Sequence, residues 1–379
     1  MQLVLNEEQQ LLKESADGFF KSKAPVSALR ALRDAGCDAC FDPDVWAETA
    51  EMGFNGMVLS EDAGGIGFGY TGAGTVAEAM GRNLSASPWF VNAVLSAPLL
   101  NAVASDEQKQ MWLPKLLNGS SVMALAIDEG GHYDPAGTKL AAAESRDGFV
   151  LSGMKSFVVE GANADAWLVL ARSAGAPGSE KGLSLFIVEK GTPGLVVDQQ
   201  VMADSRNYAR LTFEKVTLGK DALVGAAGLA LAGLSPILDR AAVVVAAELY
   251  GLSSFCLSST VDYLKERKQF GVVIGTFQGL QHRAAHLFSE LELTKSVVLK
   301  ALMAADTDDP SFPVLASIAK AKACKTAELA TNEAIQMHGG IGMTDEMDIG
   351  FYIKRARSLQ ALLGDYNHHA DRYARLRGF

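Results

Sequence analysis

The chain has 379 residues, more than a single hydrophobic core usually holds, so two or three domains are expected. Its composition, 49% hydrophobic and 21% charged, is that of an ordinary globular protein and excludes a disordered or collagenous one. The net charge of −10 argues against nucleic acid as the main partner, and four cysteines are too few for a disulfide scaffold. No apolar run reaches the length of a membrane span. The N-terminus carries acidic residues where a signal peptide is basic, so we expect a cytoplasmic protein.

The first third of the chain shows helical periodicity. Helices are predicted at residues 7–21, 26–35, 72–81, 89–103 and 107–117. A further helix is predicted to begin with Asp44 as its N-cap, and Asn118-Gly119 marks a turn after the last helix. We therefore predict an all-helical domain over residues 1–122.

The middle of the chain carries short runs of the β type. They lie at residues 149–151, 156–159, 167–171, 183–188 and 210–213. Turn signals such as Asp147-Gly148 separate them. Regularly spaced short strands indicate a small β-barrel or sandwich, which we place at residues 123–225.

Long helical segments complete the chain, at residues 236–266, 276–305, 312–337 and 345–376. Pro310 and Pro313 interrupt the second junction, and the glycines between 339 and 342 interrupt the third. Long helices with short links are typical of an antiparallel four-helix bundle, predicted here for residues 226–379. The whole chain is thus predicted to be a multidomain α+β protein.

The link between the first two bundle helices, from Arg267 to His282, is rich in Arg, Gln, Phe and Gly. Glycines let a turn approach a ligand closely, and Arg and Gln side chains suit phosphate groups and amide edges. From this chemistry alone, a ligand-binding loop and a plain helical hairpin with a cationic tip are about equally compatible with the sequence.

Two motifs resemble signatures of the acyl-CoA dehydrogenase family. One is the Arg-x-Gln-Phe-Gly sequence that starts at Arg267, and the other is the Gln-Met-His-Gly-Gly sequence that starts at Gln336. The similarity continues through nearly the whole chain in the family's order. It implies FAD as cofactor, oxidation of an acyl-CoA to a 2-enoyl-CoA, and an electron-transfer flavoprotein as electron acceptor. It also implies flavin contacts by Arg267, Gln269, Phe270, Gln278, Gln336, Gly339 and Gly340 of a neighbouring subunit.

The catalytic base departs from the commonest pattern of this family. Most members carry a Glu near the C-terminus, and the corresponding position here is Gly364, beside Asp365. A glycine cannot take a proton. Other members carry the base on the first bundle helix, before an Arg, and that pair corresponds to Asp239-Arg240. Asp239 is therefore the predicted base and Arg240 its ordering partner. The alternative is an Asp stabilised by the helix start and paired with a cation.

The β-domain contacts with flavin also depart from the family pattern. Where the family has Trp-Ile-Thr, whose Thr hydroxyl bonds the flavin, this chain has Phe157-Val158-Val159. Phe157 is the predicted counterpart of the Trp, whereas a Val in place of Thr removes a hydrogen-bond donor. The preceding flavin-contacting segment corresponds to residues 127–135, again with a different sequence.

These departures leave two interpretations open. The chain is either a homo-oligomeric dehydrogenase that holds flavin mainly through backbone groups, or one subunit of a heterotetramer. In the second case its bundle completes a partner's flavin site, as in two-subunit members that act on bulky or steroid-type acyl-CoA. Another reaction on the same fold, by an oxidase or flavin monooxygenase, is a third alternative. The histidines lack matching carboxylates in a metal-binding pattern, so no metal is predicted.

Overall fold

The computed structural model of the protein describes residues 3–36 and 40–379. Cys37, which forms a Cys-x-x-Cys pattern with Cys40 in the sequence, lies outside the described residues. The chain folds into two compact units. We call the first the helical unit, which comprises Met1–Ala31, Tyr70–Ser85 and Ala242–Phe379. We call the second the mixed unit, which comprises Leu32–Gly69 and Ala86–Ala241.

Helices dominate the N-terminal third, as predicted. They are α1 (Glu7–Lys23), α2 (Val26–Ala35), α3 (Pro43–Glu51), α4 (Gly69–Asn83), α5 (Ala97–Val103) and α6 (Asp106–Leu117), with a π-helix at Phe90–Ser96. The prediction that Asp44 is the N-cap of α3 is wrong. The side chain of Asp42 accepts hydrogen bonds from the backbone N–H groups of Asp44 and Val45, and Pro43 occupies the first helical position. Proline suits that position because its missing N–H has no partner within the helix.

The middle region is a mixed β-sheet. Its strands are β1 (Met123–Ala126), β2 (Ala141–Glu144), β3 (Gly148–Val159), β4 (Ala166–Arg172), β5 (Leu183–Glu189), β6 (Leu195–Val201), β7 (Asn207–Gly219) and β8 (Leu223–Val224). The strand order is β6-β7-β3-β2-β4-β5-β8, with β1 paired in parallel to β4. The predicted runs 149–151 and 156–159 belong to the single strand β3, because its register against β7 shifts twice without ending the pairing.

The C-terminal region is helical. It contains α7 (Ala230–Glu266), the short strands β9 (Lys268–Gln269) and β10 (Val272–Val273), α8 (Gln278–Asp306), α9 (Phe312–His338), α10 (Ile349–Ala361) and α11 (Tyr366–Arg377). The predicted helix at 345–376 is interrupted. Leu363 and Gly364 have φ angles of 57° and 95°, and neither angle belongs to a right-handed helix. The α+β fold with helical, sheet and helical regions is confirmed, while the domain limits 1–122, 123–225 and 226–379 stay a prediction.

Two glycines let α4 and α7 pack with their backbones in contact inside the helical unit. A Cβ atom on Gly81 would lie 2.2 Å from the carbonyl oxygen of Glu248. A Cβ atom on Gly251 would lie 2.1 Å from the carbonyl oxygen of Glu78. Any larger residue at either position would push the two helices apart, so this crossing depends on glycine from both sides.

Helix α7 corrects the expectation that no segment has the length of a membrane span. By length and composition alone it is long and apolar enough to cross a membrane. However, 78% of its most apolar window is buried within the protein, and the core helix of a globular protein passes the same test.

Candidate functional site

The link between α7 and α8 is a tight β-hairpin. Strand β9 pairs with β10 so that Gln269 faces Val272, which leaves Phe270 and Gly271 as the two turn residues. Their φ angles are 53° and 79°, and two positive angles define the type I′ turn that suits two-residue hairpins. The chain therefore presents Phe270 at the outermost point of a rigid loop.

Phe270 is strained and exposed at the same time. A bulky residue with positive φ costs on the order of 1 kcal/mol, and Asn or Gly is the usual choice at this turn position. Its ring is 89% exposed, with Phe277 as an edge-on neighbour at 6.2 Å between ring centres. Neither folding nor solubility favours an exposed aromatic ring in a strained turn, which points to a binding role.

The polar side chains of this hairpin also face outward. Arg267, Gln269 and Gln278 are all exposed. The backbone of Arg267 is fixed at both ends, because its N–H donates to Tyr263 O and its carbonyl accepts from Ile274 N, each at 2.9 Å. Within the described residues no acidic side chain forms an ion pair with its guanidinium. A fixed and unpaired cation suits an anionic group such as a phosphate.

The second motif follows the C-terminus of α9. Gly339 has φ 68°, and a Cβ atom on Gly339 or Gly340 would meet nothing within 4 Å. Both glycines and Gln336 are exposed, so the backbone here is open to a ligand. No neighbouring atom would clash with a side chain at Gly340. A side chain there would, however, cover the backbone that glycine leaves open to a ligand.

Tyr263 brings the two motifs together at one end of the helical unit. Its ring stacks on His338 with 4.4 Å between ring centres, and its hydroxyl donates to His338 O at 3.3 Å. His338 is buried, and its Nδ1–H donates to Ala334 O at 2.7 Å. Burial lowers the pKa of His338, so the ring is neutral and serves packing rather than charge. The seven predicted bundle contacts thus lie in or directly beside two links, the one between α7 and α8 and the one that follows α9.

Phe157 lies in the mixed unit at a β-bulge. The register of β3 against β7 shifts between Lys155 and Val158, and Phe157 has φ 55°. Its side chain is 38% exposed, and its N–H donates to Gln200 Oε1 at 2.7 Å. A bulge turns a side chain out of the regular alternation of a strand, which is how this ring reaches the surface.

A buried ammonium group lies on the same strand, two residues before Phe157. Lys155 is fully buried, and its Nζ donates to Ile127 O and Glu129 Oε1 at 2.9 Å and to Thr138 Oγ1 at 3.3 Å. Burial lowers the pKa of Lys155 to about 8, although Glu129 acts in the opposite direction. These bonds tie the segment that resembles a flavin-contacting loop to strand β3. Sequence analysis missed Lys155, although a lone Lys inside an apolar strand was a visible signal.

Asp128 shares this buried region but has a poorer environment. Its Oδ1 is buried without a hydrogen-bond partner, and burial raises the pKa of Asp128 to about 6 while Lys155 lowers it. At neutral pH the ionised form of this buried carboxyl group destabilises the folded protein, because it has lost its hydration.

Asp239 and Arg240, the predicted base and its partner, lie on α7 and are half-buried. The guanidinium of Arg240 donates to Pro236 O one helical turn earlier, at 3.2 Å. The assignment of both residues stays a prediction.

Gly364, which is predicted to occupy the position of the family's common base, lies in the break between α10 and α11. A Cβ atom there would approach His368 Cδ2 to 2.6 Å and His369 Nε2 to 3.0 Å. Lys320, fully buried, fixes the same loop by donating to Gly364 O at 2.8 Å and to Gln360 O at 3.2 Å. Asp365 is not a free carboxylate, because its Oδ1 accepts from His368 N at 2.8 Å as the N-cap of α11.

The histidines beside this break are neutral. His369 Nε2–H donates to Leu363 O at 2.9 Å, and burial, together with the charge of Lys320, lowers the pKa of His369 to about 3. A side chain at position 364 would therefore overlap with these two rings unless they shift. Across residues 3–36 and 40–379, no cluster of three His, Cys, Asp or Glu side chains is arranged to hold a metal ion.

Comparisons with known proteins agree along the whole chain. The family models for the N-terminal, middle and C-terminal domains of acyl-CoA dehydrogenase match residues 6–120, 123–216 and 228–376. Acyl-CoA dehydrogenase FadE12 of Mycobacterium tuberculosis is 33% identical over 324 residues, which is 83% of this chain and 82% of the relative.

Solved structures extend this similarity to the fold. A chain from the structure of the electron transferring flavoprotein of Acidaminococcus fermentans matches with a TM-score of 0.91 and 27% identity, over 100% of both chains. A variant of the Tcur3481–Tcur3483 steroid ACAD matches with a TM-score of 0.86 and 29% identity, over 98% of both chains.

Proposed function

Because the chain belongs to the acyl-CoA dehydrogenase family, we propose that it is an FAD-dependent oxidoreductase that converts an acyl-CoA to a 2-enoyl-CoA. The observation that carries this proposal is the hairpin between α7 and α8. It holds a strained and exposed Phe270 next to the unpaired cation Arg267, a combination that suits an aromatic ring system carrying phosphate groups.

The residues present fit a flavin dinucleotide. Arg267, Gln269 and Gln278 provide donors, and the open backbone at Gly339 and Gly340 leaves room for a phosphate chain or an adenine edge. In the mixed unit, the bulge presents the Phe157 ring for packing. We propose that the bundle residues Phe270 and Gln336 act in the same site, and that a second subunit completes it.

The proposed chemistry assigns the proton step to this chain. The carboxylate of Asp239 takes the proton from the α-carbon of the acyl group, and Arg240 helps to order the site. The flavin, when bound, accepts the hydride from the β-carbon. An electron-transfer flavoprotein then receives the electrons, a partner suggested by the family and by the similarity to a chain from such a structure. Asp239 is shorter than Glu by one methylene, and a misplacement of about 1 Å can cost on the order of a hundredfold in rate.

The break at Gly364 favours a second candidate function. A side chain at this position would overlap with two histidine rings unless they shift, so this chain also suits the role of a subunit that completes the flavin site of a related partner. The similarity to the Tcur3481–Tcur3483 steroid ACAD supports a two-subunit assembly and a bulky acyl-CoA of the steroid type.

One experiment separates the two candidates. The chain is purified alone, its flavin absorbance and its mass in solution are measured, and bleaching of the flavin by a panel of acyl-CoA thioesters is followed without oxygen. About one flavin per chain with substrate-dependent bleaching supports the homo-oligomeric enzyme. A colourless chain that gains flavin and activity only when it is produced with a related subunit supports the second candidate. A chain that takes up no flavin under either condition contradicts both.

A further inference from the structure

The side chain of Gln200 makes one hydrogen bond that fixes its orientation. Its Oε1 accepts from the N–H of Phe157 at 2.7 Å. A backbone N–H can only donate, so the oxygen of the amide must face Phe157 and the nitrogen must face away. In the described part of the chain, no acceptor is bonded to Gln200 Nε2, and the half-buried side chain leaves this donor accessible.

The sheet places the Gln200 amide in one row with Val159, the position at which the family has a Thr hydroxyl and this chain has no donor. Gln200 pairs with Tyr208 on β7, and Tyr208 pairs with Val159 on β3, so the three residues form one row across the sheet. Residues in register share a face, with about 4.8 Å between neighbouring strands. The Gln200 amide extends across β7 to β3, because its Oε1 accepts from Phe157 N, two residues before Val159.

The backbone conformation of Phe157 gives the Gln200 side chain a second role. Phe157 has φ 55°, an angle that a bulky residue keeps only when its surroundings hold it there. The bond from Phe157 N to Gln200 Oε1 is the contact that satisfies its N–H in this bulge. Without Gln200, the N–H loses its partner and the bulge loses a restraint on the direction of the Phe157 ring.

We propose that Gln200 is a flavin-positioning residue of this chain. Its Oε1 holds the Phe157 backbone so that the ring can pack on the cofactor, and its Nε2 donates a hydrogen bond to an acceptor atom at the edge of the flavin ring. In this way it replaces the donor that is missing at Val159. The inference rests on the proposed function and adds a residue that neither motif contains.

Gln199 offers a matched control. It is the same residue type on the same strand, but it points to the opposite side of β6, where its Nε2 lies 3.7 Å from Cys40 Sγ. Gln200→Leu removes both the acceptor and the donor. Gln200→Glu keeps an acceptor for Phe157 N–H but replaces the donor with a negative charge. Gln199→Leu makes the same change of size and polarity away from the proposed contact.

The test is a titration of each apoprotein with FAD, monitored by flavin fluorescence and absorbance. The reduction potential of the bound flavin is then measured. Where the wild-type chain needs a related subunit to take up flavin, the variants are measured in that complex. We expect Gln200→Leu and Gln200→Glu to bind FAD about tenfold more weakly or worse, and Gln199→Leu to bind like the wild type. We also expect Gln200→Glu to lower the reduction potential, because a carboxylate opposes the charge of the reduced ring.

The outcomes distinguish this inference from the proposed function. Weaker binding by both Gln200 variants with a shifted potential supports the positioning role, since a merely structural defect would not move the potential of the flavin that is bound. A wild-type chain that binds FAD while Gln200→Glu shows the same affinity and potential overturns the inference alone. A wild-type chain that takes up no FAD, with or without a related subunit, overturns the proposed function and this inference with it.

Discussion

Replacing Gly364 with alanine tests whether the loop between α10 and α11 is built around glycine. Two costs add at this position. The residue has φ 95°, where an L side chain is strained by about 1–2 kcal/mol. The new Cβ atom would also lie 2.6 Å from His368 Cδ2 and 3.0 Å from His369 Nε2, and relieving such an overlap typically costs about 1–3 kcal/mol.

The contact with His369 cannot be relieved cheaply, because that ring and the loop itself are both held. His369 is buried and bonded to Leu363 O, and Lys320 fixes the carbonyl of Gly364 itself. We therefore expect Gly364→Ala to lower the free energy of unfolding by about 2–4 kcal/mol. Gly364→Glu, which restores the common base at this position, should be at least as unstable and should gain no dehydrogenase activity.

The assay is equilibrium unfolding in urea, followed by circular dichroism and compared at the transition midpoint. Gly350→Ala is the matched control, because Gly350 lies within α10 and its Cβ atom would meet nothing within 4 Å. Alanine should stabilise that site by about 0.5–1 kcal/mol. A Gly364→Ala protein with the wild-type midpoint, or a Gly364→Glu protein with increased turnover, would show that the loop accommodates a side chain and that the reasoning is wrong.

Three further changes test other parts of the site. Asp239→Asn should reduce turnover at least a hundredfold while leaving flavin content unchanged, and unchanged turnover would eliminate Asp239 as the base. Asp128→Asn should raise stability at pH 7 by about 2 kcal/mol. The folded protein keeps the Asp128 proton up to a pKa of about 6, above the usual 3.8, so wild-type stability falls as pH rises between these values. Urea midpoints at pH 4 and pH 7 check this, and an equal gain at both pH values contradicts it. Phe270→Asn should relieve the strained turn and stabilise the protein by about 1 kcal/mol while weakening FAD binding. Unaltered FAD affinity in that variant would mean that the ring does not serve the cofactor.

The sequence by itself determined the features that depend on neighbours along the chain. Helical periodicity located α7, α8 and α9 to within six residues, and the stretch from Arg267 to His282, rich in Arg, Gln, Phe and Gly, was predicted as the link between two of them. These features can be predicted because periodicity, capping and turn preferences act within a few residues. The assignment of Gly364 to the position of the common base came instead from the resemblance to the family, and it stays a prediction.

Only the tertiary structure decided what those positions can do. The break at Leu363 and Gly364 lies inside a segment with helical periodicity, and buried Lys320, more than forty residues earlier, holds the carbonyl group of Gly364. The bond between Phe157 and Gln200 joins two strands through residues that are 43 positions apart in the chain. Neither pairing leaves a local pattern, because each arises from strands or helices that meet only after folding. The sequence therefore located the hairpin and the missing base. Which side chains hold the glycine loop, and which donor faces the bulge, depended on long-range packing.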